Sequence, residues 1–353
     1  MIRTLNSLRF FLILMIVISH STLPIPQGLK DCLGECPVSI FFIISGFVLS
    51  LSKGEMLEKG ELNNKQFFLS RILKLYPLHL GIIAITLPLD WRLGHLVPWY
   101  QILAQALLIQ CWYPSHDFGA APNAPTWFLS DIIFFYLIFK YLYRWIIKNS
   151  WRKISPAIGI YMLFYLILAT SVKNDYSSGY IYIYPTFRMI DFCIGILLYK
   201  FCISSIGKRL FETISHHLTA FQSNLTAILI IFLLYGTYEL SLNSQPNIRC
   251  AALYWLPSAI IVFYIASADK SKGWLIAILH NKQLLWLGGI SFEIFLCHSL
   301  CYRIVQSIFL RIYGEDIPIL GGQFCISLAQ TILVAWIAKK YIVMPIYNKY
   351  KNH

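Results

Sequence analysis

Long apolar runs alternate with short polar loops along the whole chain, and this pattern predicts a polytopic membrane protein. A helix that crosses a bilayer needs about 20 consecutive apolar residues, and runs of roughly that length begin at the N-terminus. We predict ten transmembrane helices, over residues 5–23, 37–51, 67–89, 127–147, 154–172, 184–204, 224–240, 250–268, 284–310 and 319–338. The predicted fold class is therefore all-α, with one integral membrane domain over residues 1–353 and no appended soluble domain.

A further apolar segment, residues 99–113, is too short to be another crossing. It has only fifteen residues and lies between Pro98 and Pro114. We interpret it as a re-entrant or interfacial piece.

The composition excludes the soluble classes of protein. Hydrophobic residues make up 58% of the 353 residues, charged residues make up 13%, and the mean hydropathy is +0.62. A soluble globular domain carries about 25% charged residues. A soluble single domain, a disordered chain and a disulfide-rich secreted module are therefore excluded.

The positive charge of the chain fits a membrane topology better than nucleic-acid binding. Lys and Arg number 29 against 16 Asp and Glu, which gives a net charge of +13. With the N-terminus in the cytoplasm, ten crossings place most of these cations on the cytoplasmic side, and Lys173 is one of the few outside. If residues 99–113 also crossed, every later loop would invert. Both termini are therefore predicted to be cytoplasmic, and no nucleic-acid partner is expected.

Ionisable residues inside apolar spans are costly and are functional candidates by default. His20 follows Arg9 by eleven residues, or about 16 Å along a helix, which places it towards the outer half of the first span. A neutral imidazole at that depth can accept a proton from an alcohol. The alternative is a structural histidine bonded to a neighbouring helix.

Two further patterns near the cytoplasmic side have both functional and structural interpretations. Arg71 and Lys74 share a helix face near a helix start, where cations and free N–H groups favour phosphate. An ordinary positive-inside anchor explains the same pair. Ser45 and Gly46 place small residues inside an aromatic-rich span, which suits close helix packing or leaves room for a ligand.

Polar residues also occur in the spans that follow. Trp127, Ser130 and Asp131 begin a span at the predicted outer face, where an interfacial tryptophan is usually a membrane anchor. Glu293 and His298 are five residues apart and do not share a helix face well. We expect no metal site, because these residues have no second close ligand.

Taken in order, these segments resemble the acyltransferase-3 family of integral membrane acyltransferases, which includes bacterial O-antigen and exopolysaccharide O-acetyltransferases. The resemblance covers almost the whole chain and rests on six segments in register, at residues 5–20, 39–47, 71–77, 125–136, 188–195 and 290–298. Three positions depart from the family pattern. Ser39 stands where an aspartate is common, Lys74 replaces an arginine, and Ile132 replaces a glutamate, with Asp131 one residue earlier. These departures leave the carboxylate partner of His20 unassigned.

The resemblance implies acyl transfer from cytoplasmic acyl-CoA, most commonly acetyl-CoA, to a hydroxyl of a cell-surface or lipid-linked saccharide in the bacterial cytoplasmic membrane. It implies acyl-CoA as co-substrate and no bound cofactor. His20, with Arg9, would be catalytic, His20 acting as general base or through a transient acyl-histidine. The implied acyl-CoA site comprises Arg71, Lys74, Tyr76, Ser45 and Gly46. The implied acceptor site comprises Trp127, Ser130, Asp131 and His298.

Two other classes of protein use buried ionisable residues in a similar setting. A transporter or flippase of a lipid-linked sugar would use them as a relay or substrate pathway, although the chain shows no internal repeat. A membrane polymerase or glycosyltransferase commonly carries a large outer loop, and no polar stretch here exceeds about fourteen residues. The sequence leaves oligomerisation open, because every predicted span is apolar enough to face either lipid or protein.

Overall fold

The computed structural model describes residues 2–92, 94, 96–115, 118–119, 122–172, 178–314 and 321–351, and this part of the chain is helical without a β-strand. The helices are α1 Arg3–Ser19, α2 Gln27–Glu58, α3 Asn64–Arg92, α4 Trp99–Ala106, α5 Trp127–Lys148, α6 Trp151–Ser171, α7 Pro185–Ile203, α8 Ser205–Glu212, α9 Ala220–Leu242, α10 Pro246–Arg249, α11 Ala252–Ser267, α12 Trp274–Leu279, α13 Lys282–Gly289, α14 Ser291–Tyr313, α15 Gly322–Ala338 and α16 Met344–Lys351. The all-α prediction is confirmed.

Many of these helices are long and apolar enough to cross a bilayer. The described residues contain eight such helical segments, and a ninth if α7 counts together with the segment Ser205–His217, which bends away from it by 85°. The first predicted crossing, α1, has 17 residues and is about 25 Å long at 1.5 Å per residue. That is short of a hydrocarbon core of about 30 Å. The number of crossings and the cytoplasmic position of both termini stay predictions.

Two predicted spans have different bounds in the structure. The span 37–51 is the middle of the 32-residue helix α2, which continues into the predicted cytoplasmic loop. The span 284–310 is divided at Ile290 into α13 and α14. Just before the division, Gly288 packs directly on α1, since a Cβ there would lie 1.9 Å from the Asn6 carbonyl oxygen. Lys173 and the start of the span 319–338 lie outside the described residues.

The short segment 99–113 does not cross the molecule. It forms the eight-residue helix α4 and a 3₁₀ turn at Gln110–Trp112. Trp99 is 73% exposed, whereas the buried Gln105 is bonded through its carbonyl oxygen to His79 Nε2 (2.9 Å) and through its amide to the Asn123 carbonyl oxygen (3.1 Å). The segment therefore has the one-sided burial expected of an interfacial or re-entrant piece.

The interior of the bundle is built around α1, α2, α7 and α14. Helices α2 and α7 touch backbone to backbone, since a Cβ on Gly46 would lie 2.1 Å from the Phe192 carbonyl oxygen and one on Gly195 would lie 2.2 Å from the Ile43 carbonyl oxygen. Outer helices such as α6 and α9 instead expose large apolar side chains, among them Ile160 and Phe232. That exposure suits lipid and not water.

Polar bonds at its N-terminal end fix α1 within this bundle. Thr4 Oγ1 donates to the Ile265 carbonyl oxygen of α11 (2.7 Å), and Asn6 Nδ2 donates to the Leu285 carbonyl oxygen of α13 (2.8 Å). Because these acceptors belong to two different helices, the rotation of α1 about its axis is set. With that rotation, Arg9 and His20 each line one of two cavities.

Candidate active site

Two histidines that are far apart in the sequence meet beside a cavity, His298 buried and His20 exposed. His20 caps the C-terminal end of α1, and His298 lies in the second turn of α14. His20 Nδ1 is 3.0 Å from His298 Nε2, and the ring planes lie within 6° of parallel. The ring centroids are 5.2 Å apart, farther than the two nitrogens, so the rings meet edge to edge. His298 Nδ1 is in turn 2.6 Å from the Phe295 carbonyl oxygen.

His20 borders a small cavity, which we call the outer cavity. Its volume is about 110 Å³. Besides His20, aromatic and small side chains form its wall, and the lining residues include Trp127, Tyr182, Phe295, Gly34, Gly119 and Pro125. The Trp127 and Tyr182 rings are 4.9 Å apart, are inclined to each other by 53° and make part of the wall aromatic. His298 is buried and does not line this cavity.

A larger cavity with a strongly cationic lining lies beside the outer cavity, and we call it the inner cavity. Its volume is about 500 Å³. The described lining includes one carboxylate, Glu293, and the cations Arg9, Arg71, Lys74 and Lys339. The Arg71 guanidinium lies over the Phe67 and Tyr136 rings, at 5.5 and 5.6 Å from the centroids. A site with this excess of positive charge favours a polyanion.

The two cavities share part of their walls. Ile16, Val38 and Phe295 line both of them, and we call these three residues the partition. The Phe295 ring packs edge-on against Phe128 at 5.4 Å, while its carbonyl oxygen holds His298. The cationic chamber and the histidine pair are thus separated by a few apolar side chains.

The structure brings most of the sequence-predicted residues to these two cavities. His20 and Trp127 line the outer cavity, and the residues on the inner cavity are Arg9, Ser45, Arg71 and Lys74. Tyr76 and Gly46 line neither one. Tyr76 packs edge-on against His79 at 5.8 Å, and Gly46 forms the α2–α7 contact.

Ser130 and Asp131 also line neither cavity. Both are buried, and neither carboxylate oxygen of Asp131 has a hydrogen-bond partner in the described part of the chain. Their nearest charged neighbours include the ion pair of Arg188 Nη1 and Asp191 Oδ2, at 3.6 Å. Arg188 and Asp191 are three residues apart on α7 and neutralise each other there.

Ser39, which stands at a family aspartate position, serves this same group of residues. Its hydroxyl oxygen accepts a hydrogen bond of 3.2 Å from Arg188 Nη2, so it takes no part in holding His20. Within the described residues, the side-chain hydrogen-bond partner of His20 is His298. The imidazole of His298 therefore stands where the sequence left the carboxylate partner of His20 unassigned.

Some polar side chains of the inner cavity belong to no site predicted from the sequence, and they include Lys339, Tyr136 and Glu293. Lys339 Nζ is 3.6 Å from Glu293 Oε2 and also donates to the Gly289 carbonyl oxygen. The one available signal was a carboxylate inside an apolar run, since Glu293 needs a partner at that depth.

A search of the described residues finds no group of three or more His, Cys, Asp or Glu side chains that could hold a metal ion. The chemistry available to these residues is proton transfer at the imidazole pair and anion binding in the inner cavity.

Comparisons with known proteins agree on one family. The family described as Acyltransferase domain matches residues 2–340. The acyltransferase MdmB of Streptomyces mycarofaciens is 26% identical over 289 residues, which cover 77% of this chain and 69% of that protein. A Staphylococcus aureus (strain COL) protein named putative O-acetyltransferase is 22% identical over 373 aligned positions, 97% of this chain and 56% of that protein. This chain thus spans little more than half of that relative. No solved structure matches.

Proposed function

This chain belongs to the acyltransferase family that matches residues 2–340, and from that premise we propose that it moves an acyl group, acetyl in the simplest case, from cytoplasmic acyl-CoA to a hydroxyl of a cell-surface or lipid-linked saccharide. Membership makes the chain an enzyme and removes the support for a transporter. Its long apolar helices make it an integral membrane protein, which we place in the bacterial cytoplasmic membrane. The observation that carries the proposal is the pair of adjacent cavities, one cationic and the other bordered by His20.

The inner cavity is suited to the phosphates of acyl-CoA. Arg9 and Arg71 both line it, and Arg71 Nε is buried without a hydrogen-bond partner among the described residues. A buried guanidinium N–H without a partner is costly, and a phosphate oxygen would satisfy it with a charge-assisted bond. Lys74 adds a third cation to the same chamber.

The acyl-pantetheine arm would pass the partition to reach His20. Ile16, Val38 and Phe295 are apolar and separate the two cavities, so a thioester that displaces them meets the imidazole without meeting bulk water. The partition then closes around the bound arm and keeps water of the inner cavity away from the thioester before the acceptor arrives. This arrangement favours transfer to a sugar over hydrolysis.

The acceptor hydroxyl would enter the outer cavity. The His20 imidazole takes the hydroxyl proton as the oxygen attacks the thioester carbonyl carbon. The C–S bond then breaks, the proton passes from the imidazole to the sulfur, and the products are the sugar ester and the CoA thiol. Attack by His20 itself, with an acyl-histidine as intermediate, uses the same geometry. The Trp127 ring offers an apolar surface for one face of the sugar.

Radiolabelled acetyl-CoA and the purified protein in detergent provide the test. The acceptor is surface polysaccharide extracted from a host strain that lacks the gene, and transfer in detergent needs no ion gradient. We expect the wild type to label the polysaccharide and His20→Ala to lose at least about 100-fold in rate, as removal of a general base does. The control is His217→Ala, which removes an exposed histidine that lines neither cavity. Undiminished labelling by His20→Ala would contradict the proposal.

A further inference from the structure

We infer that His298 is a positioning residue, which holds His20 in the single tautomer that can act as a base towards the outer cavity. The inference rests on the proposed function and adds to it a residue that does not itself touch the substrates. It follows from the direction of the hydrogen bonds between Phe295, His298 and His20.

The Phe295 carbonyl oxygen fixes the first proton. A carbonyl oxygen only accepts, so the 2.6 Å contact with His298 Nδ1 requires the proton of the neutral imidazole to be on Nδ1. His298 Nε2 is then an acceptor. Because Nε2 is 3.0 Å from His20 Nδ1, that nitrogen of His20 must be the donor.

The same rule determines the tautomer of the second imidazole, that of His20. A neutral His20 with its proton on Nδ1 carries a free lone pair on Nε2. No described residue bonds to Nε2. The ring of His20 lines the outer cavity, whereas His298 is buried and does not. The lone pair is therefore presented on the side where a hydroxyl would arrive.

His20 needs such a partner because its own position constrains the ring little. It lies at the end of α1, where it is exposed to the cavity and followed by a non-helical segment. His298 is 2% exposed and lies inside the 23-residue helix α14. The same turn of α14 supplies both the Phe295 ring of the partition and the carbonyl oxygen that starts the series of bonds. In other enzymes a buried partner that fixes the histidine tautomer contributes strongly to the rate.

Two substitutions at His298 separate positioning from simple structural support. His298→Leu removes the acceptor, and we expect kcat to fall about 10- to 100-fold, the range typical of a residue that orients a reactive group. The KM for acetyl-CoA should not change, since the inner cavity is untouched. His298→Gln places an amide oxygen within reach of His20 Nδ1–H and should recover most of the lost kcat.

The assay is the labelled transfer reaction described above, with thermal unfolding in detergent recorded for each variant. Nitrogen-15 NMR of histidine-labelled wild-type protein adds a readout that needs no variant to fold, and it should show His20 protonated at Nδ1. Wild-type kcat in His298→Leu, equal losses in the Leu and Gln variants, or a His20 protonated at Nε2 would each overturn the positioning role. None of these results alters the proposed function, which fails if His20→Ala remains active.

Discussion

The inner and outer cavities differ in almost every physical property although they share a wall. The inner cavity is about 500 Å³ and cationic, and its charges come from Arg9, Arg71, Lys74 and Lys339. The outer cavity is about 110 Å³, aromatic and bordered by one imidazole. Under the proposed function, the donor would be held by charge and the acceptor by shape and a directed hydrogen bond. Substitutions on the two sides should therefore change different kinetic constants.

The largest effect on the donor side should come from Arg71. Arg71→Gln removes a guanidinium that has a free buried N–H, and a lost charge-assisted bond of about 1.5–3 kcal/mol corresponds to a rise of about 10- to 100-fold in the KM for acetyl-CoA. Steady-state kinetics at a saturating acceptor concentration measure the KM for acetyl-CoA. Arg144→Gln, at an exposed arginine that lines neither cavity, is the control. An unchanged KM in Arg71→Gln would remove this residue from the donor site.

Phe295 tests whether the partition keeps the two sides apart. Phe295→Leu should open a path between the cavities and raise acetyl-CoA hydrolysis several-fold in the absence of acceptor, because water then reaches the thioester. Release of free CoA thiol measures the hydrolysis. Phe292→Leu changes a phenylalanine that lines only the inner cavity and should leave hydrolysis at the wild-type rate. Equal hydrolysis in all three proteins would show that the partition does not exclude water.

Substitution of Trp127 should change the binding of the acceptor alone. An aromatic contact contributes about 0.5–1.5 kcal/mol beyond its buried area, so Trp127→Ala should raise the KM for the polysaccharide about 2- to 10-fold. Trp127→Phe keeps an aromatic ring, and its KM for the polysaccharide should lie between those of the wild type and Trp127→Ala. The KM for acetyl-CoA should stay constant throughout, and a change in that constant would contradict the division of roles.

The smallest effect should come from the contact between Lys74 and the C-terminal helix α16. The Lys74 ammonium lies 4.3 Å from the centroid of the Tyr347 ring, a contact that competes with a phosphate for the same cation. Tyr347→Leu should therefore lower the KM for acetyl-CoA about 2- to 5-fold, in line with a cation–π contact of about 0.5–1 kcal/mol. In a Lys74→Gln background the same substitution should have no effect. A raised KM in Tyr347→Leu would instead assign the ring to substrate binding.

The sequence predicted the helical fold and the shared helix face of Arg71 and Lys74, because both depend on local patterns. Apolar runs identify helices, and the spacing of Arg71 and Lys74 places both on one helix face. Local patterns also misled. Gly46 suits a ligand site as well as a packing contact, and only the position of α7 shows that it packs. Gly288, next to the division at Ile290, meets the backbone of α1, a contact that no span prediction contains.

The outer cavity was less accessible to prediction because its residues are far apart in the chain. His20 and His298 are 278 residues apart, and their hydrogen bond depends on how α1 and α14 pack. Both residues are candidates from the sequence, but His298 was predicted only to bind the acceptor substrate. Asp131 was named for its polarity inside a span, yet its register in α5 turns it away from both cavities.

A cryo-electron-microscopy structure of the protein with a non-hydrolysable thioether analogue of acetyl-CoA tests the central claim most directly. We predict phosphate oxygens within hydrogen-bond distance of Arg9 and Arg71, the pantetheine arm between Ile16, Val38 and Phe295, and the acyl carbon next to His20 Nε2. Phosphates bound away from the inner cavity, or an acyl group that ends remote from His20, would contradict the account.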